Sequence, residues 1–195
     1  MGKAHRVGEA LRVEMTGENR QGSSDVECHG CSSSTQRRVL VAYFSWSGNT
    51  REIARQIQNA VGGRLFEIVS VDKYPSDYNK CVDQAKKELD AEYMPKLVSD
   101  VEDIGSYDVV FIGYPNWWGT IPRPVASFLS KCNSPGKTIA PFCTHGGDRL
   151  GQSVEDIARL CPRSTVLEGL AVRGGDVGNA QNKVSEWLRK IGMTK

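Results

Sequence analysis

The apolar run Val39-Leu40-Val41-Ala42-Tyr43-Phe44 breaks into Ser45-Trp46-Ser47-Gly48-Asn49-Thr50 and passes at once into a helical pattern. A buried strand that ends directly on a helix N-terminus leaves unpaired backbone N–H groups at the positive end of the helix dipole, an arrangement that favours a bound anion. The hydroxyls of Ser45, Ser47 and Thr50 and the amide of Asn49 are the groups available to surround a phosphate, and Gly48 permits a tight backbone approach. No Lys or Arg lies within the hexapeptide, so dipoles would hold most of the charge. An ordinary Ser/Asn/Thr helix cap has the same composition, and the hexapeptide by itself leaves both readings open.

Two later strand exits decide between them. Tyr107-Asp108-Val109-Val110-Phe111-Ile112-Gly113 reads as a buried strand that runs into Tyr114-Pro115-Asn116-Trp117-Trp118-Gly119-Thr120. Adjacent Trp residues between turn formers point in different directions, so at least one is expected at the loop surface, where its ring would suit a flat aromatic ligand. Thr138-Ile139-Ala140-Pro141-Phe142-Cys143 leads in the same way into Thr144-His145-Gly146-Gly147-Asp148-Arg149. Its paired glycines let backbone amides come close to a ligand edge.

These three segments, with Lys73-Tyr74-Pro75-Ser76-Asp77-Tyr78 and the Ala85-Lys86-Lys87-Glu88 helix pattern, resemble the flavin-contacting loops of the flavodoxin-like family. The similarity is greater to a short-sheet subfamily with a Trp-Trp-Gly second loop, and it covers about residues 38 to 191. It implies that Ser45, Ser47, Gly48, Asn49 and Thr50 cradle the phosphate of FMN, with the Trp46 backbone N–H turned inward. It further implies that Pro115, Asn116, Trp117, Trp118 and Gly119 flank the isoalloxazine ring, and that Thr144, His145, Gly146 and Gly147 approach its pyrimidine edge. His145 departs from the family, which more often carries a small hydroxyl residue there, and Asp148-Arg149 departs as well. Arg149 aimed at the pyrimidine edge would favour the anionic reduced ring, and His145 could supply a proton.

The remaining pattern alternates. A helix over 50–61 carries Ile53, Ile57 and Val61 and stops at Gly62-Gly63. A strand follows at Leu65–Val69, then a helix over about 79–90 and a loop over 91–106. Later helices carry Val125, Phe128, Leu129 and Cys132, then Val154, Ile157, Ala158 and Cys161, then Val184, Trp187, Leu188 and Ile191, with one strand over Thr165–Val172. The expected fold is α/β, a flavodoxin-like doubly wound parallel sheet of five strands in the order 2-1-3-4-5 with helices on both faces. That order brings the ends of strands 1, 3 and 4 together.

Residues 1–37 lack an apolar period and read as a disordered arm ahead of a domain over 38–195. The arm has no secretory apolar region, and its acidic residues Glu9, Glu14, Glu18, Asp25 and Glu27 argue against a transit peptide. Met1-Gly2 fails as an acylation signal because position 6 is Arg. With no span of membrane length the expected compartment is the cytoplasm. Cys28-His29-Gly30-Cys31 lacks two further ligands nearby, so no metal site is expected. Cys132, Cys143 and Cys161 fall in core elements, and Cys81, near a helix start, could be exposed.

The formal charge of +2 belongs to the domain, because the arm's five basic and five acidic residues cancel. This balance is not basic or patterned enough to suggest a nucleic-acid binder and does not suit the acidic surface of a dedicated electron shuttle. A receiver domain would need acidic residues where the strand exits read Ser-Trp-Ser and Pro-Asn-Trp. A nucleotide hydrolase would need Gly where Lys131 stands before Gly136-Lys137-Thr138. Two redox readings remain: a one-electron carrier serving partner proteins, or an oxidoreductase taking hydride from NAD(P)H to a quinone or similar small acceptor. No catalytic side chain is nominated, since the flavin would carry the chemistry. A flavin-free binding domain is the third possibility.

Overall fold

Backbone pairing along a sheet buried on both faces organises the domain. The computed structural model describes residues 37–132 and 135–195. The expected arm, with its Cys28–Cys31 pair, lies outside the described residues. Strand β1 (Val39–Tyr43) pairs in parallel with β2 (Arg64–Glu67) on one side and β3 (Val109–Pro115) on the other. β3 pairs with β4 (Thr138–His145), and β4 with β5 (Thr165–Val166) and β6 (Leu170–Arg173). The order β2-β1-β3-β4-β5 is the expected one.

Side-chain alternation divides the core into two layers. Leu40, Ala42, Val110, Ile112 and Ile139 pack with Val125, Phe128 and Leu129 of α3 (Arg123–Ser130) and Ile157 of α4 (Ser153–Leu160). Val41, Tyr43, Val109, Phe111 and Phe142 pack on the opposite face with Ile53 and Ile57 of α1 (Asn49–Val61) and Val184, Trp187 and Leu188 of α5 (Gln181–Lys190). Gly113 is required at its position: a Cβ there would lie 2.2 Å from Phe142 Cζ. Helix α2 (Tyr78–Asp90) buries Cys81 and Ala85 and starts at Asp77, whose carboxylate accepts the Lys80 N–H at 2.9 Å. Cys81, which its place near a helix start left open to exposure, is buried because it faces inward from the first turn.

The structure differs from the sequence reading in two places. The fifth strand is split. Leu167, Glu168 and Gly169 stand opposite only Ala140 and Pro141, the geometry of a bulge. The Ile139 carbonyl accepts the Leu167 N–H at 2.8 Å, so Pro141, two residues on, faces the same edge without an N–H to offer. The Glu168 carbonyl is satisfied instead by the Trp187 indole N–H at 2.8 Å. The segment 91–106 is also less irregular than expected: Ser70 and Leu97 form an antiparallel bridge, and Ile104–Ser106 make a 3-10 turn.

Lys137 shows what the Gly-Lys-Thr sequence does here. Its side chain is buried and its ammonium donates to the carbonyls of Ile104, Gly105 and Tyr107 at 2.6, 3.1 and 2.7 Å. It fastens the 3-10 turn to the start of β4. Among the described residues no helix is long and apolar enough to cross a membrane. Replacing Lys137 with Met keeps the stem but leaves the Gly105 and Tyr107 carbonyls without this donor, while that of Ile104 keeps the Tyr107 N–H, and the expected loss is roughly 2–3 kcal/mol of unfolding free energy. A urea midpoint equal to wild type would contradict this role.

Candidate functional site

The C-terminal ends of β1, β3 and β4 lie side by side, so the turns that leave them meet at one edge of the sheet. In the first turn Gly48 takes a left-handed φ of 92° as the residue before α1. The Ser45 hydroxyl oxygen accepts the N–H groups of Gly48 and Arg51 at 3.1 and 3.3 Å. Ser45 therefore caps the turn from inside. Among the described residues none accepts the backbone N–H of Ser47, Asn49 or Thr50, the orphan donors of a helix start. Ser47 is exposed, while the Asn49 amide nitrogen stands against Gly174. Arg51, the nearest cation, is held by Glu67 at 2.6 Å.

A buried hydroxyl pair joins this turn to the β4 exit: Thr50 Oγ1 and Thr144 Oγ1 are 2.8 Å apart. The β3 exit is tied to the same place. The Asn116 N–H donates to the Thr144 carbonyl at 2.8 Å, and Asn116 Nδ2 donates to the Arg149 carbonyl at 2.6 Å. Asn116 Oδ1 is buried with no partner among the described residues. Pro115 ends β3 and serves the strand.

Trp117 and Thr120 exchange both backbone hydrogen bonds at 3.1 Å around Trp118 and Gly119, whose φ values are 55° and 78°. Two positive φ values in a two-residue turn give the mirror-image type I turn, which Gly119 accepts freely and Trp118 does not. The turn sends the two rings apart. Trp117 packs edge-on against Phe44 and Tyr74, with centroids 5.4 and 5.0 Å away. Trp118 is 52% exposed, its indole N–H reaching the Val82 carbonyl at 3.2 Å and its ring under Lys86 at 5.7 Å. The strained φ and the surface position fit the expectation that one of the pair leaves the core.

Between the turns and α2 lies a cleft of about 320 Å³. Of the residues named from sequence it is lined by Trp46, Asn116, Trp117, Trp118, Gly146 and Gly147. A Cβ at Gly146 or Gly147 would meet nothing within 4 Å, so both glycines leave open space at the cleft margin. Ser45, Ser47, Gly48, Asn49, Thr50, Pro115, Gly119, Thr144 and His145 are outside the lining. His145 and Arg149 belong to a neighbouring pocket with Arg173 and Lys183, which leaves Asp148 on the cleft side.

Sequence reasoning missed the opposite wall: Tyr78, Cys81, Val82 and Ala85 of α2. The Lys73–Tyr78 stretch was its available signal. Pro75 accepts the Trp46 indole N–H at 2.9 Å, drawing the stretch over the first turn. Tyr74 donates a short hydrogen bond to Glu88, which with burial raises its phenol pKa above the usual range. Burial pushes the Cys81 thiol up to about 11, so a neutral thiol faces the cleft.

A profile of the family described as Flavodoxin matches residues 38–191, most of the chain. The chain belongs to the flavodoxin family. This flavodoxin-family domain is 35% identical to a Bacteroides eggerthii protein of known crystal structure, covering 79% of this chain and 97% of that one with a TM-score of 0.70. It is 27% identical to a flavoprotein from Lactobacillus acidophilus solved in complex with FMN, covering 76% and 99% of the two chains with a TM-score of 0.62. An NAD(P)H dehydrogenase (quinone) from Cupriavidus metallidurans is 30% identical over 95 residues, 48% of this chain and 46% of that protein. The match spans about half the length of this curated relative.

His145 supplies a pH test of the third turn. Its pKa lies below the ordinary value of about 6.5, because burial and the charges of Lys183, Arg149 and Arg173 disfavour the imidazolium. The unfolded chain then binds this proton more readily than the folded one. The resulting stability is fully present above about pH 6.5 and is lost as pH falls through the folded value. In His145→Gln the decline in urea midpoint between about pH 7 and pH 5 should become shallower. An unaltered slope would show that the imidazole titrates alike in both states.

Proposed function

We propose that the domain binds FMN and works as a flavodoxin-like redox protein of the Trp-Trp-Gly subfamily. The observation that carries this is the meeting of two complementary features at one sheet edge. One is a helix start with acceptor-free N–H groups at Ser47, Asn49 and Thr50, suited to a phosphate. The other is the cleft walled by Trp118, Trp46 and Tyr78, suited to a flat ring. The donor set fits the group. Asn116 Oδ1 is a buried acceptor without a partner among the described residues, beside the cleft, and the Gly146-Gly147 margin is open to a ring edge. When bound, FMN supplies the electron transfer. The chain's own residues would hold the phosphate at the α1 start and the ring beside Trp118 and Tyr78, with Trp117, backed by Phe44 and Tyr74, shielding one side of the cleft from water. Cys81, Cys132, Cys143 and Cys161 are free thiols, in keeping with a cytoplasmic site of action.

A second reading, an oxidoreductase passing electrons from NAD(P)H to a quinone or similar small acceptor, is favoured over a shuttle by two observations. One is the partial similarity to an NAD(P)H dehydrogenase (quinone). The other is the weakly basic charge of +2, unlike the acidic surface that steers a carrier onto basic partners.

The purified protein, supplemented with FMN, should show flavin visible bands, and Gly147→Val should raise the Kd for FMN about tenfold or more by filling the cleft margin. Circular dichroism of the variant should match wild type. No uptake of FMN by the wild-type chain would sink the proposal. Anaerobic reduction in two resolved steps would favour the carrier, and rapid NADPH oxidation with added quinone the enzyme.

A further inference from the structure

The third turn contributes to a second pocket that the FMN reading does not use. It has a volume of about 280 Å³ and is lined by His145, Arg149, Ala171, Arg173, Asp176 and Lys183. Three cationic side chains and an imidazole therefore surround it against the single carboxylate of Asp176. Among the described residues, neither Arg149 nor Arg173 has a carboxylate within ion-pair distance. His145 Nδ1 is buried and has no hydrogen-bond partner among them.

The pocket is also held in shape. Arg149 has a left-handed φ of 53°, and its carbonyl accepts from Asn116 Nδ2 at 2.6 Å and from Cys143 Sγ at 3.1 Å. The backbone that carries this guanidinium is thus fastened to the same Asn116 that lines the flavin cleft. Lys183 donates to the Ala171 carbonyl at 2.7 Å, which keeps its ammonium at the β6 edge with further N–H donors to spare. Arg173 ends β6, in register with His145 at the end of β4.

Burial and the charges of Lys183, Arg149 and Arg173 depress the His145 pKa against the opposing pull of Asp148, and a bound anion would relieve the repulsion among the cations. Two guanidinium forks, an ammonium and an imidazole match the several oxygens and double charge of a phosphate monoester better than a single carboxylate. The phosphate of FMN is not the candidate, since none of residues 45–50 lines this pocket. The two sites share one turn: Gly146, Gly147 and Asp148 line the cleft, His145 and Arg149 the pocket.

We propose that this pocket receives the 2′-phosphate of NADPH, so that the dinucleotide reaches across the Thr144–Gly151 turn to the flavin cleft. The inference rests on the oxidoreductase reading. It makes the protein selective for NADPH over NADH through Arg149, Arg173 and Lys183, with His145 as a further donor once protonated.

The test uses the purified full chain. The His145 imidazole signal, assigned by its loss in His145→Gln, is followed by NMR against pH with and without inorganic phosphate. Phosphate should raise the His145 pKa, and Arg173→Gln should abolish the rise. In parallel, quenching of Trp fluorescence gives the Kd for NADPH and NADH. Arg173→Gln should weaken NADPH about tenfold and NADH less than about twofold, with FMN uptake unchanged. Equal effects on the two dinucleotides, or an unmoved His145, would overturn the proposal. A chain that takes up no FMN yet shows both responses keeps the phosphate site and refutes the oxidoreductase reading. A chain that oxidises NADPH but ignores Arg173→Gln keeps the enzyme and refutes the site.

Discussion

Strands β1, β3 and β4 are buried on both faces, and everything else in the domain depends on how they pair. A backbone polar group in such a layer has no water to turn to, so each must find its partner in the next strand. The register Val39 to Val109 and Val109 to Thr138 follows, and with it the alignment of the strand ends. Because the three strands are parallel and in step, their exits open at one edge. Tight packing accompanies the pairing: Phe142 lies across Gly113, where a Cβ would run into its ring.

On that edge the turns are locked to one another before any ligand is considered. Thr50 meets Thr144, Asn116 meets Thr144 and Arg149, and the Gln152 N–H donates to the Gly119 carbonyl at 2.8 Å. Side chains that look like ligand contacts in sequence are in part spent on this framework. Ser45 closes its own turn, and the Thr50 and Thr144 hydroxyls face each other in the core. What stays available is mostly backbone N–H and open glycine margin, a preorganised and nearly uncharged surface. The charge is next door, where Arg149, Arg173 and Lys183 gather around His145. The open cleft margin at Gly146 and Gly147 and the cationic group at Arg149 thus sit on two sides of one turn.

The element alternation, the strand order and the three turns were legible because each rests on local pattern or on a resemblance carried by contiguous residues. Val39–Phe44 is apolar throughout, as a doubly covered strand must be. Pairs such as Ile53 and Ile57 recur at helical spacing because only one stripe of α1 meets the sheet. The split of the fifth strand was less legible. Its cause, a Pro141 facing that edge without an N–H, lies on a different strand and acts only once the two are neighbours. The burial of Cys81 was left open for the same reason: exposure at a helix start depends on what packs beside it.

By itself the sequence determined the class of fold, the family and the sites where chemistry could gather, since apolar periodicity and turn composition act over a few residues. Tertiary structure alone decided which of those groups face the cleft. Helix α2 supplies the second cleft wall through Tyr78, Cys81, Val82 and Ala85. His145 and Arg149 turn toward Arg173 and Lys183 rather than into the cleft. Those outcomes follow from contacts between residues distant in the chain, where burial and charge depend on neighbours that no local pattern names.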